Sequence, residues 1–124
     1  MLKHLFWVGL GGIVGTFLRA CCSFLFVTPW GTLFVNLAGC FFLALLFSWN
    51  QTKKVIPTVY HDALGAGVMG SLTTFSTFIT EIFLLPFMIE KILYLMASVI
   101  GGITFAYIGY WLGRGGFRKE VINR

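Results

Sequence analysis

The chain has 124 residues, 58% of them apolar and only 10% charged, with a formal net charge of +5. A soluble domain carries about 25% charged residues and needs them to cover a surface this large for its volume. A water-soluble globular domain is therefore excluded, as is disorder, which needs low hydrophobicity and high charge. What remains is a single domain, residues 1–124, whose outer surface faces a lipid bilayer. Four helical spans of about 20 residues would use roughly 80 positions, which leaves no room for a soluble catalytic domain, and no enzyme is expected.

Span one is predicted from Leu5 to Phe26, interrupted only by Arg19. Lys3 precedes it, but no small-x-small cleavage site follows, so it reads as a retained helix and not a signal peptide. Thr28-Pro29-Trp30-Gly31 predicts a turn. Span two is predicted from Thr32 to Trp49 and contains Asn36. A polar loop begins at Asn50 and runs through Lys53, Lys54 and Pro57 to His61 and Asp62. Span three is predicted from Ala63 to Met88, with Gly70-Ser71-Leu72-Thr73-Thr74-Phe75-Ser76-Thr77-Phe78 in its middle. A glycine beside three hydroxyl residues makes a poor continuous helix in lipid, so this span is expected to be broken near its middle. Glu90-Lys91 is expected to turn the chain into span four, Ile92 to Leu112, and a basic tail follows from Arg114. The fold class is thus an all-α membrane protein of four transmembrane helices. Cys21, Cys22 and Cys40 form no CxxC and read as packing residues. His4 and His61 lie beside charges at the predicted membrane edges, and neither indicates a haem or metal site.

With four spans, both termini and the loop after span two share one side of the membrane. That side holds Lys3, Lys53, Lys54, Arg114, Arg118, Lys119 and Arg124, against Lys91 alone on the other. The bias predicts a multi-pass protein with both termini in the cytoplasm. The basic residues are scattered over three short segments, which is a topology signal and not a nucleic-acid surface.

Polar groups inside a span are costly, so each suggests a site. Arg19 lies about 21 Å along the helix from Leu5 at 1.5 Å per residue. It can attract anions at a water-filled mouth, or snorkel its head to the interface. Asn36 lies one turn after Thr32, so both face one way; its amide offers two donors to an anion, or one interhelical hydrogen bond. On a continuous helix at about 100° per residue, Thr73, Ser76, Thr77, Thr80 and Glu81 form a polar arc about 140° wide, opposite Phe75 and Phe78. That face is a hydroxyl-and-carboxyl track, or a set of hydroxyls bonded back to their own helix. Glu81 can carry protons, anchor a network, or pair with Arg19. Gly11…Gly15 and Gly109…Gly113 read as close helix packing.

Gly11-Gly12-x-x-Gly15-x-x-x-Arg19, Gly31-Thr32-Leu33-x-Val35-Asn36 and Gly70-x-Leu72-Thr73-Thr74-Phe75-Ser76-Thr77-Phe78 together resemble the Fluc (CrcB) fluoride channels. The resemblance covers the whole chain in length, span count and motif order. The family usually has two glycines where this chain has Gly70-Ser71. The resemblance implies an antiparallel dimer with two fluoride pores in a bacterial cytoplasmic membrane, conferring fluoride resistance. Phe75 and Phe78 would match the phenylalanines that contact fluoride, Asn36 the pore asparagine with Thr32 a turn before it, and Ser76 and Thr77 the hydroxyl track. Arg19 would match the vestibule arginine and Glu81 the acid beyond the track. The Gly70 and Thr73 carbonyls would hold a structural Na⁺ at the dimer centre. In span four, Ser98, Thr104 and Tyr107 are the polar candidates.

The chemistry suits such a role. Fluoride must trade its water for strong donors, which hydroxyls, an amide and electropositive ring edges can supply. The basic bias fits poorly with a chain that inserts both ways, so the antiparallel partner is either a second copy or an oppositely oriented paralogous subunit. Two other functions stay open at this level: a small proton-coupled exporter using Glu81, and a scaffold that carries no ion.

Overall fold

A computed structural model describes residues 1–115, and all its regular elements are helical. Helix α1 is Leu2–Leu25 and α2 is Trp30–Lys53. A short α3, Thr58–Asp62, leads into a π-helical segment, Ala63–Met69, and a single turn α4, Gly70–Leu72. Helix α5 is Phe75–Leu84 and α6 is Met88–Gly113. Four stretches are long and apolar enough to cross a membrane: Leu2–Leu25, Trp30–Lys53, Thr58–Leu84 and Met88–Gly113. The tail residues Arg118, Lys119 and Arg124 lie outside the described residues.

Several boundaries differ from the sequence reading. Glu90 and Lys91 sit in the first turns of α6, and the chain reverses at Leu85-Pro86-Phe87 instead. Proline lacks the N–H needed to continue α5, so the stop precedes it. Trp30 and Gly31 begin α2 directly after Pro29. The third span starts at Thr58, five residues before the predicted Ala63, because Pro57 opens α3. Proline is well placed there, since the first N–H groups of a helix have no partner in any case.

Close backbone approach holds the bundle together. Helix α2 packs mainly on α6, and α1 on the π-helical segment and α4. A Cβ at Gly109 would collide with the Phe41 carbonyl, and one at Gly113 would lie 2.8 Å from the Leu45 carbonyl. Likewise a Cβ at Gly11 would collide with the Ala63 carbonyl and one at Gly15 with that of Val68. Both GxxxG pairs are therefore packing seams, as their spacing indicates. The outward side chains are large and apolar, among them Ile13, Phe17, Phe24, Phe34 and Ile103. Thr32, Ser48, Thr74 and Glu81 are buried. Apolar outside and polar inside is the arrangement that lipid selects.

Candidate functional site: a groove along the second helix

Two residues separate α4 from α5. Thr73 (φ −74°, ψ 152°) and Thr74 (φ −146°, ψ 122°) are extended. An extended residue at membrane depth must find partners for its backbone groups outside the helix. Asn36 of α2 supplies both for Thr74. Its Nδ2 donates to the Thr74 carbonyl at 3.0 Å, and its Oδ1 accepts the Thr74 N–H at 2.8 Å. The amide thus acts as a surrogate peptide group. One Nδ2 hydrogen is left over, since a primary amide has two.

Thr74 also starts the next helix. Its Oγ1 accepts the Thr77 N–H at 3.3 Å and donates to Thr77 Oγ1 at 3.0 Å, an N-cap that satisfies one free donor of α5. The extended pair changes what the hydroxyls can do. Thr73 is not on the helix that carries Thr77 and Glu81, so the single polar arc of the sequence reading does not form. The Gly70 and Thr73 carbonyls lose their usual helical donors, because the Thr74 and Thr77 N–H groups are engaged by Asn36 Oδ1 and Thr74 Oγ1. Carbonyl oxygens released from helical bonding are the donor type that a small hard cation takes. Among the described residues, no three His, Cys, Asp or Glu side chains come together to hold a metal.

A groove of about 680 Å³ runs beside this step. Helix α2 lines it with Asn36, Gly39, Cys40, Leu43 and Phe47, and the third span with Gly65, Met69, Gly70, Thr73 and Thr74. Phe75 and Phe78 form its aromatic end, with ring centroids 6.1 Å apart. They do not share one surface: Phe78 is 7% exposed and Phe75 76%. Ser98 of α6 lines the groove too, and its hydroxyl is buried with no hydrogen-bond partner among the described residues.

The other expected residues lie elsewhere. Thr32 and Glu81 form a separate buried network behind the groove. Thr32 Oγ1 donates to Glu81 Oε1 at 2.7 Å, and Tyr94 Oη donates to Glu81 Oε2 at 2.6 Å. Tyr94 also stacks on Phe78, centroids 5.3 Å apart, so the network sets the back of that ring. Of the three roles open to Glu81, the structure gives it the network and no pairing with Arg19. Ser76 and Thr77 are exposed on α5 outside the groove, as is Thr80, whose hydroxyl donates to the Ser76 carbonyl at 3.0 Å. Arg19 is half-buried on α1, and its side chain has no polar partner among the described residues. Thr104 and Tyr107 are exposed on α6, and Thr104 bonds back to the Ile100 carbonyl.

Two contributors escaped the sequence reading. Thr74 lies within a quoted motif without a role, although Thr-x-x-Thr before an apolar run is a capping signal. Tyr94 had no signal, because its pairing with Glu81 crosses between helices.

The sequence pattern of one family, described as CrcB-like protein, Camphor Resistance (CrcB), matches residues 6–110. A Bacillus cereus protein named fluoride-specific ion channel FluC 1 is 36% identical over 115 residues, covering 86% of this chain and 80% of the relative. A Ligilactobacillus salivarius protein named fluoride-specific ion channel FluC 2 is 39% identical over 102 residues, 82% of this chain and 78% of the relative. A Leptospira interrogans protein named fluoride-specific ion channel FluC is 33% identical over 119 residues, 89% of this chain and 94% of the relative.

Proposed function

The chain belongs to the CrcB family, and from that membership and the groove we propose that it is a subunit of a passive, fluoride-selective channel. It would let fluoride leave the cytoplasm down its gradient across the cell membrane and so relieve fluoride toxicity. The observation that carries the reading is the meeting of Asn36, Phe75, Phe78 and the unpartnered Ser98 hydroxyl on one groove. A buried hydroxyl free of protein partners can donate to a passing ligand.

Each group has a task. The free Nδ2 hydrogen of Asn36 and the Ser98 hydroxyl offer neutral donors, which replace water without trapping the ion as a fixed cation would. The edges of Phe75 and Phe78 carry partial positive charge and add weak contacts between the donors. The Thr32–Glu81–Tyr94 network positions Phe78 from behind. Arg19 draws anions to a mouth. Ser76 and Thr77, with Thr80, form an outward polar face whose hydroxyls are bonded within their own span and which lipid would not solvate. A second subunit is the natural cover, and in an antiparallel pair this hydroxyl track would line one pore while the phenylalanines line the other. That subunit is a second copy or an oppositely oriented paralogous chain. A structural Na⁺ between subunits would take the Gly70 and Thr73 carbonyls and satisfy backbone oxygens at membrane depth. The two extended residues then serve as a functional break in the third span.

The test is efflux from liposomes holding fluoride or chloride, with no proton gradient. Fluoride efflux is expected and chloride efflux is not. Phe78→Ile is expected to reduce fluoride flux at least about tenfold, equivalent to about 1.4 kcal/mol of barrier. Unchanged flux in both Phe75→Ile and Phe78→Ile would remove the groove from the pathway. Flux that stops without a pH gradient would replace the passive channel by a coupled exporter.

A further inference from the structure

The face of α2 that lines the groove does not end at Phe47. Along α2, Asn36, Cys40, Leu43 and Phe47 recur at intervals of three and four residues, and Asn50, Gln51 and Lys54 continue the series. Residues at that spacing share one face of a helix. From Asn36 to Lys54 the stripe is about 27 Å long at 1.5 Å per residue, nearly the ~30 Å thickness of a bilayer core. Beside its far end lies a second cavity of about 320 Å³, lined from the end of α2, from Tyr110 of α6 and from His61 of α3. Phe47 lines both cavities.

This second cavity is rich in donors. Asn50 Oδ1 already accepts the Ile56 N–H at 3.0 Å, which leaves the Asn50 NH₂ to the cavity it lines. Lys54 lines it from the C-cap of α2, where it holds a left-handed conformation (φ 49°) that turns the chain out of the helix. Tyr110 lines it as well, and Arg114, one turn further along α6, donates from Nη1 to the Tyr110 hydroxyl at 2.9 Å. The other nearby charges are Lys53, stacked on Trp49, and Asp62. Two imidazoles face that acid, His4 Nδ1 at 3.2 Å and His61 Nδ1 at 3.6 Å. The His61 ring meets Phe47 edge to face, centroids 4.6 Å apart at 81°.

We propose that this cavity is an anion-loading site, which takes a small monovalent anion from water at the end of α2 and passes it by Phe47 into the groove. The proposal rests on the channel reading and deepens it. Lys54 raises the local anion concentration, as a charged mouth with low-dielectric walls does. The amide of Asn50 supplies a neutral contact. Phe47, held by His61, is the side chain that loading and passage share.

Two readouts test it. In liposome flux, Lys54→Gln is expected to raise the half-saturating fluoride concentration about 3- to 10-fold at low ionic strength and under about 2-fold near 0.5 M neutral salt. Saturated flux is expected to hold, and Lys54→Arg to restore the original value. The second readout needs no fluoride. In a chain with Cys21, Cys22 and Cys40 replaced by alanine, a thiol placed by Gln51→Cys is treated in detergent with anionic and cationic methanethiosulfonates. The anionic reagent is expected to react faster by about 3- to 10-fold, Lys54→Gln to abolish the preference, and the adduct to block flux after reconstitution. If Lys54→Gln changes neither half-saturation nor reagent preference while Phe78→Ile still stops flux, the loading site is overturned and the channel stands. If the reagent preference follows Lys54 but the unmodified chain carries no fluoride, the channel reading falls, and the cavity's loading role falls with it.

Discussion

Asn36 closes two backbone hydrogen bonds with one side chain, and both belong to a buried, extended residue of the third span. Leaving a buried donor or acceptor unmade costs about 1–3 kcal/mol each. Asn36→Ala is therefore expected to lower stability by about 2–4 kcal/mol, seen as a drop in the thermal unfolding midpoint in detergent. Asn36→Asp keeps the acceptor for the Thr74 N–H but sets a carboxylate oxygen against the Thr74 carbonyl and buries a charge, so its loss is expected to be at least as large. An unchanged midpoint in both variants would contradict the paired hydrogen bonds. Thr74→Val removes the N-cap of α5 and is expected to cost about 1 kcal/mol by the same measurement. Only part of this was legible. The spacing of Thr32 and Asn36 put both on one face, and in the structure both reach the third span. The partners on that span could not be read, because nothing in a helical period says which residue across the bundle will be extended.

At the scale of elements, small residues decide what touches. Gly109→Ala places a methyl on the Phe41 carbonyl, at a seam where both helix backbones would have to part. Overpacking of this kind costs about 1–3 kcal/mol, and a lowered unfolding midpoint would register it. Gly12 has nothing within 4 Å of an added Cβ. Gly12→Ala is expected to leave the subunit fold intact or stabilise α1 by about 0.5–1 kcal/mol. A loss there equal to that at Gly109 would mean that α1 carries a contact the single subunit lacks. These seams were legible as GxxxG pairs, and the spans as apolar runs. The turn at Leu85-Pro86-Phe87 was not, because the charges at Glu90 and Lys91 drew the boundary away from a proline that ends the helix sooner. The π-helical Ala63–Met69 was not either, since its turns depend on how closely α1 lies against Ala63 and Gly67.

For the whole molecule, inside and outside are exchanged relative to a soluble protein. Aromatic and branched side chains face outward, and a buried acid with two hydroxyl partners faces inward. Composition alone made that inversion legible. It did not disclose that Ser76, Thr77 and Thr80 stay exposed in one subunit, which only the placement of α5 reveals. Covering them by a partner predicts a particle of two subunits, this chain with its antiparallel partner, by light scattering in mild detergent, and Ser76→Leu with Thr77→Leu is expected to shift it toward one. Accessibility of cysteines placed at either end of the chain tests the charge bias: the single orientation expected for seven basic residues against one requires a paralogous partner, and termini equally on both sides would instead require a second copy. The clasp between Asn36 and Thr74 carries one more implication, and it concerns how the chain reaches the membrane. The third span has the lowest mean hydropathy of the four, 1.2 against 1.6, 1.9 and 1.8. Its polar centre is a poor candidate to leave the translocon for lipid unaided. During synthesis α2 emerges first, carrying the amide that neutralises the weak point of the segment behind it. The second helix is then a chaperone in cis, and losing Asn36 should impair membrane integration of newly made chains before it impairs anything they conduct.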